Sequence, residues 1–463
     1  MCFWGVAFSV GANINKPMDD ADVPVAWNAV QDARRLSSKA SRRERDLIQA
    51  LTVRYSKEPV KDRAPLDLAY ADAMRVVARA HPDDLDIQTL FAEALMDTMP
   101  WAYYQKDGSP KPATVEVVDT LERVIVEAPM HPGALHFYIH AVEASATPER
   151  AEAPADRLGN LMPGAGHLVH MPSHVYIRVG RYHDASVANE LAAKADESYL
   201  SQCHAQGFYP AMYYPHNIHF LWASASFEGR SAVALGAAQK MVAFIPSERV
   251  NEFPFLEELL PIVLLTQVRF GQWDEILAAA PPAAEHEYAT SIWRYARGLA
   301  LVRRGRLAEA ERELKRLQAT AESPEMASLK LLSVQTSAQQ LLRIAAAVLE
   351  GELAASRRQW GRAVAALERA VELEADLTYS EPPPWYFPVR DALGRVLLEA
   401  GRSREAEAVY RKQLDATPDN GWTLYGLAAS LRAQDRNDEQ ASVRKEFDAA
   451  WARADVRLTA STF

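Results

Sequence analysis

Three groups of histidines hold most of the chemistry this sequence offers. His136 and His140 stand in LHFYIHAVEAS, His167, His170 and His174 in GAGHLVHMPSH, and His216 and His219 in YPHNIHF. Ten of the twelve histidines fall between His131 and His219. Imidazole is the commonest transition-metal ligand and titrates near neutral pH, so the clustering points to a metal or proton-transfer site. His136, His140 and Glu143 follow i, i+4, i+7 and share one helix face. That face lies one residue round from the apolar stripe Leu135, Ile139, Val142. The same offset separates His167, His170 and His174 from Leu168, Met171 and Val175.

The expected metal ligands are His136, His140, His167, His170, His174, His216 and His219. Seven imidazoles exceed the three or four of an ordinary zinc site, so more than one ion fits more easily than one. Residues seven apart on a helix are separated by roughly 10 Å along the axis, so His167 and His174 should not share an ion. Pro172 interrupts their helix and either brings His170 and His174 together or parts them. Zn, Cu and Fe all suit imidazole and carboxylate, and only Met171 leans toward copper.

Glu93 and Asp97, at i, i+4 in FAEALMDTMPW, and Glu143 supply carboxylates for ligation, general-base work or fixing of imidazole tautomers. Glu93 and Glu143 are the candidate bases or orienters. Tyr213 and Tyr214, with Tyr209 before them, are candidates to contact a small substrate or act as acids. Trp101, Tyr103 and Tyr104 add aromatic surface.

Helices must position these groups. A short apolar helix followed by Gly-Arg or Gly-Gln and an Ala-rich amphipathic stretch recurs from Gly180, Gly229, Gly271, Gly305 and Gly401. A degenerate sixth copy is RQWGRAVAALERAVELE at 358–374, and the last clear unit closes on DATPDN at 415–420. The pattern resembles the tetratricopeptide repeat, strongly over 174–433 and weakly over 1–173. The resemblance implies an all-α, right-handed superhelix (α-solenoid) of about eleven helical hairpins, with a concave groove lined by the first helix of each hairpin. It implies no reaction.

First helices are predicted near 1–11, 41–56, 85–99, 132–145, 167–179, 212–227, 254–270, 286–304, 326–350, 386–400 and 420–433, each followed by a second helix. All three histidine groups thereby fall on first helices of consecutive hairpins. The expected divisions are N-terminal hairpins over 1–84, a histidine-rich region over 85–250, and a C-terminal array and cap over 251–463. GAGHLVHMPSHVYIRVGRY and its flanking histidine segments resemble a histidine-rich subgroup of bacterial repeat proteins, a likeness that implies no activity.

A net charge of −10 without a basic run argues against nucleic acid as partner. The longest apolar stretch, LLPIVLLTQV, falls short of a membrane span. Cys2 and Cys203 form no paired motif, and Cys203 is expected to be inert. No phosphate loop, nucleophile elbow, HExxH or dinucleotide fingerprint occurs. The start lacks a basic n-region, so the chain as it stands reads as cytoplasmic, or as periplasmic or secreted if a signal lies upstream. His183, His204 and His286 are expected at the surface or in turns, His81 and His131 as caps of helix-terminal carbonyls, and Trp385 as a packing anchor.

The reading that follows is a metalloprotein with a histidine-rich site in the groove, acting as an oxidative or hydrolytic enzyme on a small molecule. An interaction scaffold holding a protein or peptide, and a metal storage or delivery protein, are the alternatives. A peptide clamp would carry Lys, Arg and Asn where 132–145 and 167–179 carry His.

Overall fold

In the computed structural model, which describes residues 1–106, 108–203, 208–245, 247–332 and 336–463, helices follow one another with short turns. Among the described residues no strand forms, and the only β-pairing is three isolated bridges. The all-α expectation is met. The chain divides into two units, Met1–Met162 and Pro163–Phe463, a boundary inside the 85–250 segment.

The first unit contains α1 (Cys2–Ser9), α2 (Val23–Leu36), α3 (Arg42–Leu51), α4 (Ala64–Ala80), α5 (Leu85–Met96), α6 (Pro112–Glu127), α7 (Pro132–Val142) and α8 (Glu152–Leu158). Its helix starts are written in the sequence. Ser41 and Glu44 form a reciprocal capping box on α3, and Asp84 accepts the Ile87 amide at the head of α5. His131 heads α7, where its Nδ1 accepts the Ala134 amide. It thus caps amides of a helix start, not carbonyls of a helix end, because Pro132 fixes the first turn of α7 directly after it. His81 closes α4, and its Nε2 lies 2.8 Å from Asp46 Oδ2.

The second unit contains α9 (Gly166–His170), α10 (Pro172–Arg178), α11 (Tyr182–Cys203), α12 (Phe208–Phe227), α13 (Ser231–Phe244), α14 (Ser247–Glu252), α15 (Ile262–Arg269), α16 (Trp273–Ala278), α17 (Glu287–Arg303), α18 (Leu307–Ala321), α19 (Pro324–Ser328), α20 (Ala338–Ser356), α21 (Trp360–Ala375), α22 (Val389–Glu399), α23 (Ser403–Ala416), α24 (Gly421–Arg432) and α25 (Asn437–Ala450). Its core runs continuously from Ala193 to Leu458. Two fully buried tryptophans tie helices together: Trp222 Nε1 donates to Thr266 Oγ1 of the next hairpin at 2.6 Å, and Trp422 Nε1, from α24, to the Ser226 carbonyl of α12, 196 residues away, at 3.0 Å. A buried indole keeps its N–H paired, so both contacts fix register as well as filling space.

One turn joins first to second helices throughout this unit. Gly180, Gly229, Gly271, Gly305 and Gly401 take φ of +67° to +82°. The next amide bonds back across the turn, as in Arg181 to Tyr176 and Arg306 to Leu301. This is the Schellman closure, in which the left-handed residue is normally glycine. In the degenerate copy Arg358 takes that position at φ +57°, with Gln359 bonding to Ala354. A non-glycine residue there is strained by about 1 kcal/mol or more. Arg358→Gly is therefore expected to stabilise the protein by about 0.5–1 kcal/mol, read as a higher urea midpoint at unchanged slope.

The helix predicted over 326–350 is two elements. α19 stops at Ser328, and α20 starts at Ala338 after Ser337, which forms a capping box with Gln340. The apolar run Leu329, Leu331, Leu332 mimics helix periodicity, but Thr336 and Ser337 offer the backbone a cap instead. His286 sits at the head of α17 in a turn, yet it is only 6% exposed, so the surface expectation is corrected. His204 lies outside the described residues. Trp385 is buried against Tyr295, as a packing anchor should be.

Candidate metal centre

Pro172 has no amide hydrogen, so the helix carrying GHLVHMPSH is interrupted at Met171. Met171 nevertheless keeps helical dihedrals of −49° and −38°, and the axis runs on. His170 and His174, one turn apart on this broken helix, bring their Nε2 atoms to 2.8 Å. Both side chains are sealed from solvent, at 0% and 1% exposure. His216 arrives from α12, its ring 4.8 Å from that of His170 and 5.7 Å from that of His174. Ligand nitrogens of these three lie within 4.8 Å of one another. Phe220, one turn beyond His216, packs against all three rings and forms an apolar floor.

The tautomer of His170 follows from its neighbours. Asn189 Nδ2 donates to the Ala185 carbonyl at 2.7 Å, so its Oδ1 is left to accept from His170 Nδ1–H, also at 2.7 Å. His170 Nε2 then carries a lone pair. Burial, reinforced by the neighbouring imidazoles, holds the His170 pKa well below the usual histidine range, which keeps the ring neutral. A neutral imidazole whose other nitrogen is tied to a fixed oxygen is the usual form of a metal-ligating histidine.

The first helix turn of this segment is anchored from α11. Asp196 is wholly buried and accepts Tyr209 Oη at 2.7 Å and Asn217 Nδ2 at 2.6 Å. Gly166 abuts it so closely that a Cβ there would lie 1.9 Å from Oδ1. This is the structural reason for glycine in GAGHLVH. Asn189 and Asp196 were not among the expected site residues. Their seven-residue spacing on an Ala-rich helix is a weak signal of a shared polar face.

In the first unit, His136 and His140 stand one turn apart on α7 with ring centroids 4.9 Å apart. His140 Nδ1 lies 3.0 Å from Glu143 Oε1, both side chains being 1% exposed, and Trp101 packs edge-on to the ring. Glu143 thus orients His140 as Asn189 orients His170. Glu93 belongs to a different cluster. Burial pushes the carboxyls of Glu93 and Asp97 upward, the Asp97 charge adding to the rise at Glu93, and Arg54, bonded to Asp97 Oδ2 at 2.7 Å, opposes it at both.

Among the other expected residues, His167 stacks on His170 at 6.1 Å and meets Tyr213 edge-on at 4.8 Å. Tyr213 in turn stacks on Tyr209. Tyr214 points elsewhere: its hydroxyl donates to Glu197 Oε1 at 2.9 Å and Lys240 lies over its ring. His219 packs against Trp222 and Tyr386, with Nε2 lacking a hydrogen-bond partner among the described residues. Burial lowers its pKa to about 3, so it is a neutral core ring. His183 pairs with Glu228 at 3.0 Å, and Cys203 is exposed.

Hairpins of paired helices closed by a left-handed turn resemble those of tetratricopeptide-repeat proteins. No family model and no curated protein matches the chain. Among solved structures, it is similar to a human IFIT1 dimer with m7Gppp-AAAA, at 11% identity over 93% of this chain and 86% of that one, TM-score 0.35. The Cut9 chain of the APC/C hetero-tetramer Cut9-Hcn1 gives 10% identity over 94% and 88%, TM-score 0.32. Yeast Tom70 gives 12% over 91% of each chain, TM-score 0.31. Likeness at this level carries no argument about function.

Proposed function

We propose that this chain is a helical-repeat metalloprotein whose second unit binds a transition-metal ion through His170, His174 and His216. One observation carries the reading: two buried imidazole Nε2 atoms face each other at 2.8 Å, and one is held as a lone pair by Asn189. A hydrogen bond between them asks only that His174 be the other tautomer. It gives no reason for a third imidazole from another helix, or for a fixed outer nitrogen. Zn, Cu and Fe all accept such a set, and three protein ligands leave a coordination position for water or substrate.

The His136–His140–Glu143 group of the first unit offers a second oriented imidazole pair, which supports more than one ion. An enzyme acting oxidatively or hydrolytically on a small molecule is the fuller form of the proposal. Tyr213, packed on His167, is then the aromatic residue best placed to contact substrate, and Glu143 orients His140 rather than acting as a free base. Tyr214 is engaged by Glu197 and Lys240, and Glu93 by the Asp97–Arg54 cluster.

Elemental analysis of protein purified from metal-replete cells tests the reading. At least one equivalent of Zn, Cu or Fe is expected, and its removal should lower the melting temperature. A metal-free protein whose melting point no added transition metal shifts would overturn it. Asn189→Leu is expected to weaken Zn binding about 10- to 100-fold by releasing the His170 ring, measured by competition with a chromophoric chelator.

A further inference from the structure

The second unit holds a charged side chain that the metal chemistry leaves unused. Arg269, the last residue of α15, is 5% exposed. Its guanidinium carbon lies 3.8 Å from the centre of the Trp422 ring and 5.0 Å from that of Phe387. Among the described residues it has no ion-pair or hydrogen-bond partner, and its Nε is sealed from solvent. The main charge acting on it is that of Asp391, whose Oδ1 accepts from Thr423 at 2.7 Å and whose Oδ2 has no partner among the described residues.

Neighbouring arginines are satisfied. Arg303 bonds to Glu352 Oε2 at 2.8 Å and to the Phe463 carbonyl at 2.9 Å, and Arg395 bonds to Glu352 and to Thr462 Oγ1. A buried cation without a hydrogen-bond acceptor is costly, and two aromatic faces and the charge of Asp391 compensate only part of that cost. Burial lowers the Arg269 pKa to about 10, which still leaves it charged at neutral pH.

Arg269 lines a cavity of about 60 Å³ walled by Trp273, Val348, Trp385, Phe387 and Phe463. One water needs roughly 10–15 Å³ on this measure, so the space suits a few waters or one short organic molecule. One guanidinium with spare N–H groups matches one carboxylate. The apolar walls match an alkyl chain. Glu352 also lines the cavity, and its charge disfavours a dianion such as phosphate. We propose that this cleft binds a small aliphatic monocarboxylate, the carboxylate on Arg269 and the alkyl chain against Trp273, Val348 and Trp385.

Saturation-transfer NMR on metal-stripped protein, with formate, acetate, propionate and butyrate as probes, tests the proposal apart from the histidine site. Binding is expected to tighten about fourfold per added methylene until the cavity fills. Butyramide, which matches butyrate in shape but lacks its charge, should give no signal, and added phosphate should not displace butyrate. Arg269→Met fills similar volume without the charge, and should lose butyrate binding while keeping the parent's helical circular dichroism spectrum. The absence of butyrate signal at about 10 mM, in the weak-binding range, would leave only water in the cavity and overturn the proposal. Equal signals from butyrate and butyramide, or butyrate binding retained by Arg269→Met, would overturn it as well.

Discussion

Exchange of His174 for alanine is expected to weaken Zn binding by about two orders of magnitude, while His219→Ala leaves it unchanged. Apparent binding free energies of about 10–16 kcal/mol for four-ligand structural Zn sites set the scale at about 3 kcal/mol per ligand. Each 1.4 kcal/mol is a factor of about ten. His174 is chosen because its Nε2 faces that of His170 at 2.8 Å. His219 is the contrast: it shares α12 with His216 but packs on Trp222 and Tyr386. Titration of both variants against a chromophoric chelator reads the difference. Equal affinity for His174→Ala and the parent would place the ion elsewhere, and a large loss in His219→Ala would redraw the ligand set.

Glu352→Gln should be among the most destabilising single changes in the second unit, at about 3–5 kcal/mol. Glu352 is 3% exposed and lies between Arg303 and Arg395 from the flanking first helices α17 and α22. Removing its charge leaves the buried Arg395 and the half-buried Arg303 facing each other, a situation in which breaking a buried pair is costly. Burial alone would raise its pKa, but the two guanidinium groups outweigh this and lower it from 4.5 to about 2.

The sign of the pH effect follows. A carboxylate more acidic when folded adds stability above its unfolded pKa, and that stability is lost as pH falls through the folded one. Between pH 4.5 and about 2 the parent should lose about 3 kcal/mol from this group, at about 1.4 kcal/mol per unit. Glu352→Gln should lack that share of the acid transition. Urea unfolding at several pH values measures both effects. A variant as stable as the parent at pH 7 would show that the Arg303–Glu352–Arg395 link adds nothing.

The helices were legible because their signals are local. Glycines at Gly180, Gly229, Gly271, Gly305 and Gly401 mark left-handed turns, a backbone demand that a sequence states directly. Arg358 was harder, since its turn has the same geometry without the residue that advertises it. The meeting of His170 and His174 was half legible: i, i+4 places them on one face, but only coordinates decide what Pro172 does to the axis.

Residues adjacent in sequence divided where helical rotation decides. Tyr213 packs on His167, whereas Tyr214, about 100° further round, bonds to Glu197. Glu93 looked like a groove carboxylate because Asp97 follows one turn later. Its actual environment is set by Arg54 from another hairpin, a pairing that no local pattern records. Asn189 and Arg269 were invisible for the same reason, because their roles rest on contacts across helices.

X-ray absorption at the zinc edge of Zn-loaded protein is the most direct test of the metal centre. The expected first shell contains nitrogen at about 2.0–2.1 Å with imidazole scattering from at least three histidines. A first shell of oxygen without imidazole scattering, or loss of the zinc on simple dialysis, would contradict it.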